Sequence, residues 1–194
     1  MEDWNHKASF DRIPSTGPLT EDLDWIFSEE HTGQSLIQFL EKEALHQRFD
    51  VSNTSPRGMK AMRGLSAFVR RESGLENSFL KLIKIRISQI NGCAYCIAMH
   101  LPETRTLGET DERLHLLTTW RESPLFTPRE RAALTWVEAV ARLEGGEVPD
   151  SAYEGVRRYF TESEITNLTF AAVEISGWNR LMIASRTPPQ VGKA

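Results

Sequence analysis

The chain has 194 residues, of which 40% are hydrophobic and 26% are charged, with a net charge of −4. These values are typical of a globular protein with one domain plus an appendage, or with two small domains. A nucleic-acid surface needs a clustered basic excess, so the acidic balance argues against that class of partner. The sequence has no uncharged apolar run long enough to span a bilayer, and its acidic first residues are unlike a signal peptide. We therefore expect no membrane contact and a cytoplasmic location.

Residues 1–48 are predicted to be an N-terminal extension, and residues 49–194 to be the main domain. The extension begins with a loop-like stretch that is rich in proline and glycine. Helical patterns follow at 19–27 and 35–46, and their aromatic side chains favour packing over disorder. The arm would pack on its own domain, over the active site or on a neighbouring subunit. Together with the apolar helices, it predicts a homo-oligomer.

The main domain is predicted to be a succession of helices. No stretch shows the period-2 alternation of a strand, so we expect an all-α fold with seven to eight helices. Two capping boxes, Thr127 with Glu130 and Thr161 with Glu164, indicate helix starts, and Asn91-Gly92 indicates a helix end. The predicted helices cover about 56–71, 77–90, 93 toward Pro102, 110–120, 127–143, 151–160 and 161–186.

Cys93, Cys96 and His100 form a CxxCxxxH motif that contains the only two cysteines of the chain. On a helix that begins at Cys93, the three side chains lie within about 60° of one another. The free N–H groups and the dipole at a helix start stabilise a thiolate, and His100 is near enough to accept a proton from Cys96. A thiolate, a second thiol and a base are the groups needed for redox chemistry that ends in a disulfide.

Other interpretations stay open from the residues alone. A general disulfide oxidoreductase, or a redox adaptor for a protein partner, also uses a CxxC pair at a helix start. A helical assembly of weak or no peroxidase activity would keep the motif for structure or as a stress sensor. A zinc site needs four ligands, and the sequence clusters three, so we expect no metal and no cofactor.

The stretch ISQINGCAYCIAMH resembles the signature of the alkylhydroperoxidase AhpD-like proteins of the carboxymuconolactone decarboxylase superfamily. The resemblance extends over about 49–189, through LGETDERLHLLTTWRESPLFTPRERAALTWVEAV and GWNRLMIASRTPP. It implies a helical fold that assembles as trimers or hexamers, and an antioxidant peroxidase that an external thiol or disulfide reductant resets. It also implies that Cys96 is the peroxidatic cysteine, Cys93 the resolving cysteine and His100 the proton relay. The decarboxylases of the superfamily lack the cysteine pair, so decarboxylation is the least favoured activity.

The chain departs from the family pattern near the motif. The family usually has a glutamate twelve residues before the first cysteine, at the far end of the proton relay, and this chain has Lys81 there. Tyr95 replaces a histidine that the best-known peroxidases of the family have between their cysteines. We expect Lys81 and Tyr95 to be relay or modulating residues. Another carboxylate would replace the glutamate, with Glu76 and Glu174 as candidates, or else the relay is shorter or the activity weak.

Overall fold

The computed structural model describes residues 46–190. The helices predicted at 19–27 and 35–46 lie outside this range apart from one residue, so they and the domain boundary at residue 48 stay predictions. Between residues 46 and 190 the chain forms eight α-helices and no strand, as the sequence predicts. These are Val51–Thr54 (α1), Pro56–Arg71 (α2), Asn77–Asn91 (α3), Ala94–Thr106 (α4), Asp111–Leu116 (α5), Pro128–Arg142 (α6), Asp150–Val156 (α7) and Glu162–Ser185 (α8). Of the helices described, none is long and apolar enough to cross a bilayer.

The capping residues confirm most of the predicted helix ends. The Thr127 and Thr161 hydroxyls accept the backbone N–H groups of Glu130 and Glu164, at 3.2 and 3.3 Å. Each glutamate in turn accepts the backbone N–H of its threonine, at 2.7 and 2.8 Å, so both boxes are complete. Gly92 ends α3 with φ of 71°, a left-handed conformation that glycine adopts without a side-chain clash.

Helix α4 continues through Pro102 to Thr106, beyond the limit near Pro102 that the sequence predicts. Proline removes one backbone donor from a helix, and the turns on either side can still form their own hydrogen bonds. This continuation matters for the site because it keeps Glu103 on the same helix as His100.

Two other helices end before their predicted limits. The helix predicted at 110–120 is α-helical to Leu116 and then tightens into a 3-10 turn, and the helix predicted at 151–160 ends at Val156. In both places the chain leaves the helix shortly before a buried aromatic residue, Trp120 or Phe160. The packing of these rings is a tertiary effect that local periodicity does not report.

Helix α3 is at the centre of the described domain, between two apolar clusters. Leu80, Ile83 and Ile87 face the larger cluster, which also contains both cysteines, as the predicted apolar face requires. Leu82 and Ile85 on the opposite side face a second cluster built around Trp120 and other aromatic and aliphatic residues. Because both sides of α3 are covered, its charged residues Lys84 and Arg86 are buried as well and need partners.

Candidate active site

The two cysteines lie where the chain passes from α3 into α4. Cys93 is the N-cap residue of α4, and its Sγ accepts the backbone N–H of Cys96 at 3.3 Å. Both residues are free thiols, each 1% exposed, and the two side chains are in hydrogen-bond contact. On the predicted helix both cysteines lie in the first turn, whereas in the structure Cys93 is the cap residue that precedes this turn.

The two cysteines differ in the pKa of their thiols. The hydrogen bond from the Cys96 thiol lowers the pKa of Cys93 to about 7, although burial acts in the opposite direction. The pKa of Cys96 is raised, because its thiol is the donor to Cys93 and because the side chain is buried. The first proton of the pair therefore leaves near neutral pH, mainly from Cys93, and the two thiols titrate as a unit.

Asn179 on α8 connects the cysteine pair to the end of α3, and the sequence analysis gave it no role. Its amide donates to Ser88 Oγ at 3.0 Å and accepts from Asn91 Nδ2 at 3.0 Å. The same side chain hydrogen-bonds to both thiols, and it is completely buried. Asn179 is one of several buried polar residues of α8, so no sequence pattern singled it out.

His100 lies on α4, one turn after Cys96, and is 5% exposed. Burial lowers its pKa to about 4, against the opposing effect of a hydrogen bond with Glu103. The imidazole is therefore neutral at pH 7. Its Nδ1 is 3.0 Å from Glu103 Oε2, and a carboxylate can only accept, so we assign the ring proton to Nδ1. This tautomer leaves Nε2 free to accept a proton.

Glu103 is the carboxylate that contacts His100. It also forms an ion pair with Lys81, whose ammonium is 3.4 Å from His100 Nδ1. Partial burial acts to raise the pKa of Glu103, and the bonds from Lys81 and His100 outweigh it, so the pKa is lowered. Glu76, one of the two predicted substitutes, is an exposed residue at the N-cap of α3. The three-residue spacing from His100 to Glu103 is the sequence pattern that could have identified this carboxylate, since residues three apart share a helix face.

Glu174, the other predicted substitute, forms a buried ion pair with Lys84. The Lys84 ammonium is 3.1 Å from Oε1 and 2.9 Å from Oε2, and Glu174 is 1% exposed. Oε1 also accepts hydrogen bonds from Ser66 Oγ and from Trp178 Nε1. Oε2 receives no well-oriented hydrogen bond from any residue of the described domain, despite the nearby ammonium. A buried pair of this kind is costly to desolvate, so stability alone is a weak reason for it.

Cys96, His100 and Glu103 line a cavity of about 560 Å³, whereas Cys93 is not among the residues that line it. The volume of this cavity is within the range of small-molecule sites. Tyr95 is part of the wall, and its predicted modulating role stays a prediction. The apolar lining consists of Val51, Met59, Ala67, Leu80, Tyr95, Met99, Trp178 and Met182. The described residues include no group of three or more side chains placed to bind a metal ion.

An all-helical domain with a buried CxxC pair at a helix start and a histidine one turn later defines the AhpD-like class of proteins. Comparison with known families agrees, because the sequence profile described as "Carboxymuconolactone decarboxylase family" matches residues 56–139. The chain belongs to this family.

Similar proteins cover most of the chain. The uncharacterized protein YdfG of Bacillus subtilis is 36% identical over 140 residues, which are 72% of this chain and 95% of YdfG. A structure from Agrobacterium tumefaciens is 40% identical with a TM-score of 0.73, and the match covers 76% of this chain and 100% of that one. That protein is of unknown function and is provisionally described as an antioxidant defence protein AhpD. An uncharacterized peroxidase-related protein from Ralstonia eutropha, described as an alkylhydroperoxidase AhpD core, is 18% identical with a TM-score of 0.65. Its match covers 81% of this chain and 84% of that one, and it supports the fold alone.

Proposed function

We propose that the protein is a thiol-dependent hydroperoxide reductase with an antioxidant role. The observation that carries the proposal is the difference between the surroundings of the two cysteines. Cys96 faces a cavity that it shares with His100, and Cys93 lies behind it in hydrogen-bond contact. The provisional description of the similar Agrobacterium tumefaciens protein points in the same direction.

The first step of the proposed reaction takes place at Cys96. His100 accepts the Cys96 proton, and the resulting thiolate attacks the terminal oxygen of the hydroperoxide. The O–O bond breaks, Cys96 becomes a sulfenic acid, and the departing alkoxide takes the proton from His100 to form an alcohol. The low pKa of His100 makes the imidazolium a strong acid, which suits it to return this proton quickly.

The second step forms the disulfide. The Cys93 thiolate attacks the sulfur of the Cys96 sulfenic acid, and hydroxide leaves and takes a proton from solvent to become water. In total, two thiols and one hydroperoxide give one disulfide, one alcohol and one water. An external dithiol then reduces the disulfide. The pKa of Cys93, about 7, keeps a large fraction of this residue ready for the attack.

Glu103 and Lys81 complete the proposed relay. Glu103 holds the Nδ1 proton of His100 and stabilises the imidazolium that forms when Cys96 loses its proton. Lys81 holds Glu103 in place through the ion pair, so it is a positioning residue. The carboxylate of the relay thus comes from α4, while the family's usual position for it, residue 81 on α3, provides the counter-charge.

The test is the reaction of the reduced protein with one equivalent of cumene hydroperoxide. We expect rapid loss of both thiols and a mass decrease of two hydrogens. The C96S variant should lose the activity, and C93S should stop at a sulfenic acid that dimedone traps. Turnover that persists in C96S, or thiol loss no faster than that of a free small-molecule thiol, would contradict the proposal.

A second candidate is disulfide exchange with a protein partner, and the lowered pKa of Cys93 favours it, because such enzymes use a low-pKa cysteine at a helix start. The burial of both thiols opposes it, since a partner's disulfide must reach the attacking sulfur. Exchange of the oxidised protein with thioredoxin-type dithiols, compared with peroxide consumption by the reduced protein, separates the two activities.

A further inference from the structure

We propose that the preferred substrate is a hydroperoxide on a long apolar chain that ends in a carboxylate. Its carboxylate would bind to Arg63 and Arg70 at the rim of the cavity, and its hydroperoxide group would reach Cys96. This inference depends on the hydroperoxide reductase activity proposed above, and it names the substrate class for that site.

The size and lining of the cavity favour a bulky organic substrate. A volume of about 560 Å³ is far larger than hydrogen peroxide or a short alkyl hydroperoxide needs. Much of the wall is methionine, aliphatic and aromatic, including Met59, Met99 and Trp178. Burial of an apolar chain against such a wall contributes binding energy in proportion to the area removed from water. Methionine side chains also adapt to ligands of irregular shape.

The charged residues of the lining are arranged in two zones. Near the reactive groups, Lys81 is paired with Glu103, and Lys84 is paired with Glu174. The charges of each pair cancel, so neither pair attracts an anionic group toward the thiol. The inner zone is therefore suited to a neutral group such as a hydroperoxide.

The outer zone has an unmatched positive charge. Arg63 and Arg70 both line the cavity and are exposed, and no acidic residue within 46–190 forms an ion pair with either. They lie seven residues apart on α2, so their side chains leave the same helix face about two turns apart. Asp50, the remaining acidic residue of the lining, is engaged in capping α1 through hydrogen bonds from Ser52 and Asn53.

This arrangement orients an amphipathic anion. A carboxylate is attracted to the rim, where the planar guanidinium groups provide paired donors that match its two oxygens. The apolar chain then lies along the wall, and a hydroperoxide group carried on that chain reaches the inner zone. The same compound without its charge, such as the methyl ester, loses the contact with the arginines at the rim. It keeps the contacts of its apolar chain with the wall and of its hydroperoxide group with the inner zone.

The experiment compares three peroxides by stopped-flow measurement of thiol oxidation: linoleic acid hydroperoxide, its methyl ester and cumene hydroperoxide, all below micelle-forming concentrations. In the wild-type protein we expect kcat/KM for the acid to exceed that for the ester by roughly tenfold, as two partly exposed charged contacts allow. The double variant R63Q/R70Q should lose this preference through a higher KM for the acid, with the maximal rate and the reaction of cumene hydroperoxide unchanged.

The matched control is R57Q/R71Q, which removes two arginines from the same helix that are not part of the cavity wall. It should keep the preference for the acid, and equal losses in both double variants would overturn the inference by pointing to net charge alone. Rapid reduction of cumene hydroperoxide without a preference for the acid would overturn the inference and leave the reductase activity standing. Slow reaction with all three peroxides would overturn both.

Discussion

Substitution of Glu103 by glutamine tests whether this residue is the carboxylate of the proton relay. Glutamine keeps the size of the side chain and removes its charge. The hydrogen bond and the charge of Glu103 both act to raise the pKa of His100, against burial, which lowers it. Without them, the imidazolium is less stable still, and His100 becomes a weaker acceptor for the Cys96 proton. We therefore expect E103Q to oxidise its thiols more slowly than the wild-type protein.

The size of the effect follows from the exposure of Glu103. General-base groups contribute about 10²–10⁴-fold to a rate, and Glu103 acts on the base rather than as the base. Its side chain is 49% exposed, so solvent screens part of its charge. We expect a loss of roughly tenfold in the rate of thiol oxidation, which corresponds to a pKa change of about one unit if the full effect reaches the transition state.

The assay is stopped-flow oxidation by cumene hydroperoxide across a range of pH. The disulfide-forming step of the wild-type protein should speed up as the pH rises through 7, because Cys93 ionises, and Glu103 is not among the groups that set this pKa. E103Q should therefore slow the sulfenic-acid step and leave the midpoint of the disulfide-forming step in place. The matched control is E76Q, which neutralises the exposed carboxylate at the N-cap of α3. A wild-type rate in E103Q, or an equal loss in E76Q, would refute the reasoning.

Four further outcomes follow from the same contacts. In C96A the thiol that donates to Cys93 is gone, so the pKa of Cys93 should rise from about 7 toward its ordinary value, as thiolate absorbance would show. His100 titrates near 4 in the folded protein and near 6.5 when unfolded, so its contribution to stability is complete above pH 6.5 and is lost as the pH falls toward 4. That contribution is about 3 kcal/mol, and urea unfolding should show a weaker pH dependence for H100Q than for the wild-type protein. The K81E and E103K variants should each lose activity by placing like charges together, and the double variant K81E/E103K should recover part of it, whereas additive losses would argue against the pair. Light scattering should give the mass of a trimer or hexamer, and a monomeric mass would contradict the predicted assembly.

The helix ends at Thr127, Thr161 and Gly92 were predictable because their causes are local. Thr127 and Thr161 satisfy backbone donors within three residues, and Gly92 adopts its left-handed conformation with no help from distant parts of the chain. The burial of α3 on both sides was not predictable in the same way. Leu82 and Ile85 lie off the face that periodicity identified, and they are buried because a second cluster covers them.

The candidate site also contains residues whose positions the sequence predicts and residues whose positions depend on distant packing. The motif residues lie within two helical turns, so their common face follows from the helix repeat. Asn179 and Glu174 are more than seventy residues from Cys96, and the packing of α8 brings them to the site. No local pattern reports such a contact. Glu103 is the exception, since its three-residue spacing from His100 is a local pattern, although the carboxylates predicted for the relay were Glu76 and Glu174.

The position of Glu103 changes how the lysine at residue 81 is interpreted. A lysine at a position that usually holds a glutamate suggests a missing proton acceptor when the residue is considered alone. In the structure the lysine side chain reaches from α3 to Glu103 on α4, beside His100. Exchange of acid and base between the two ends of such a pair preserves the attraction and keeps a carboxylate beside the imidazole. In this chain the carboxylate beside His100 is on α4 rather than at residue 81 on α3, so the relay that we propose takes its negative charge from Glu103.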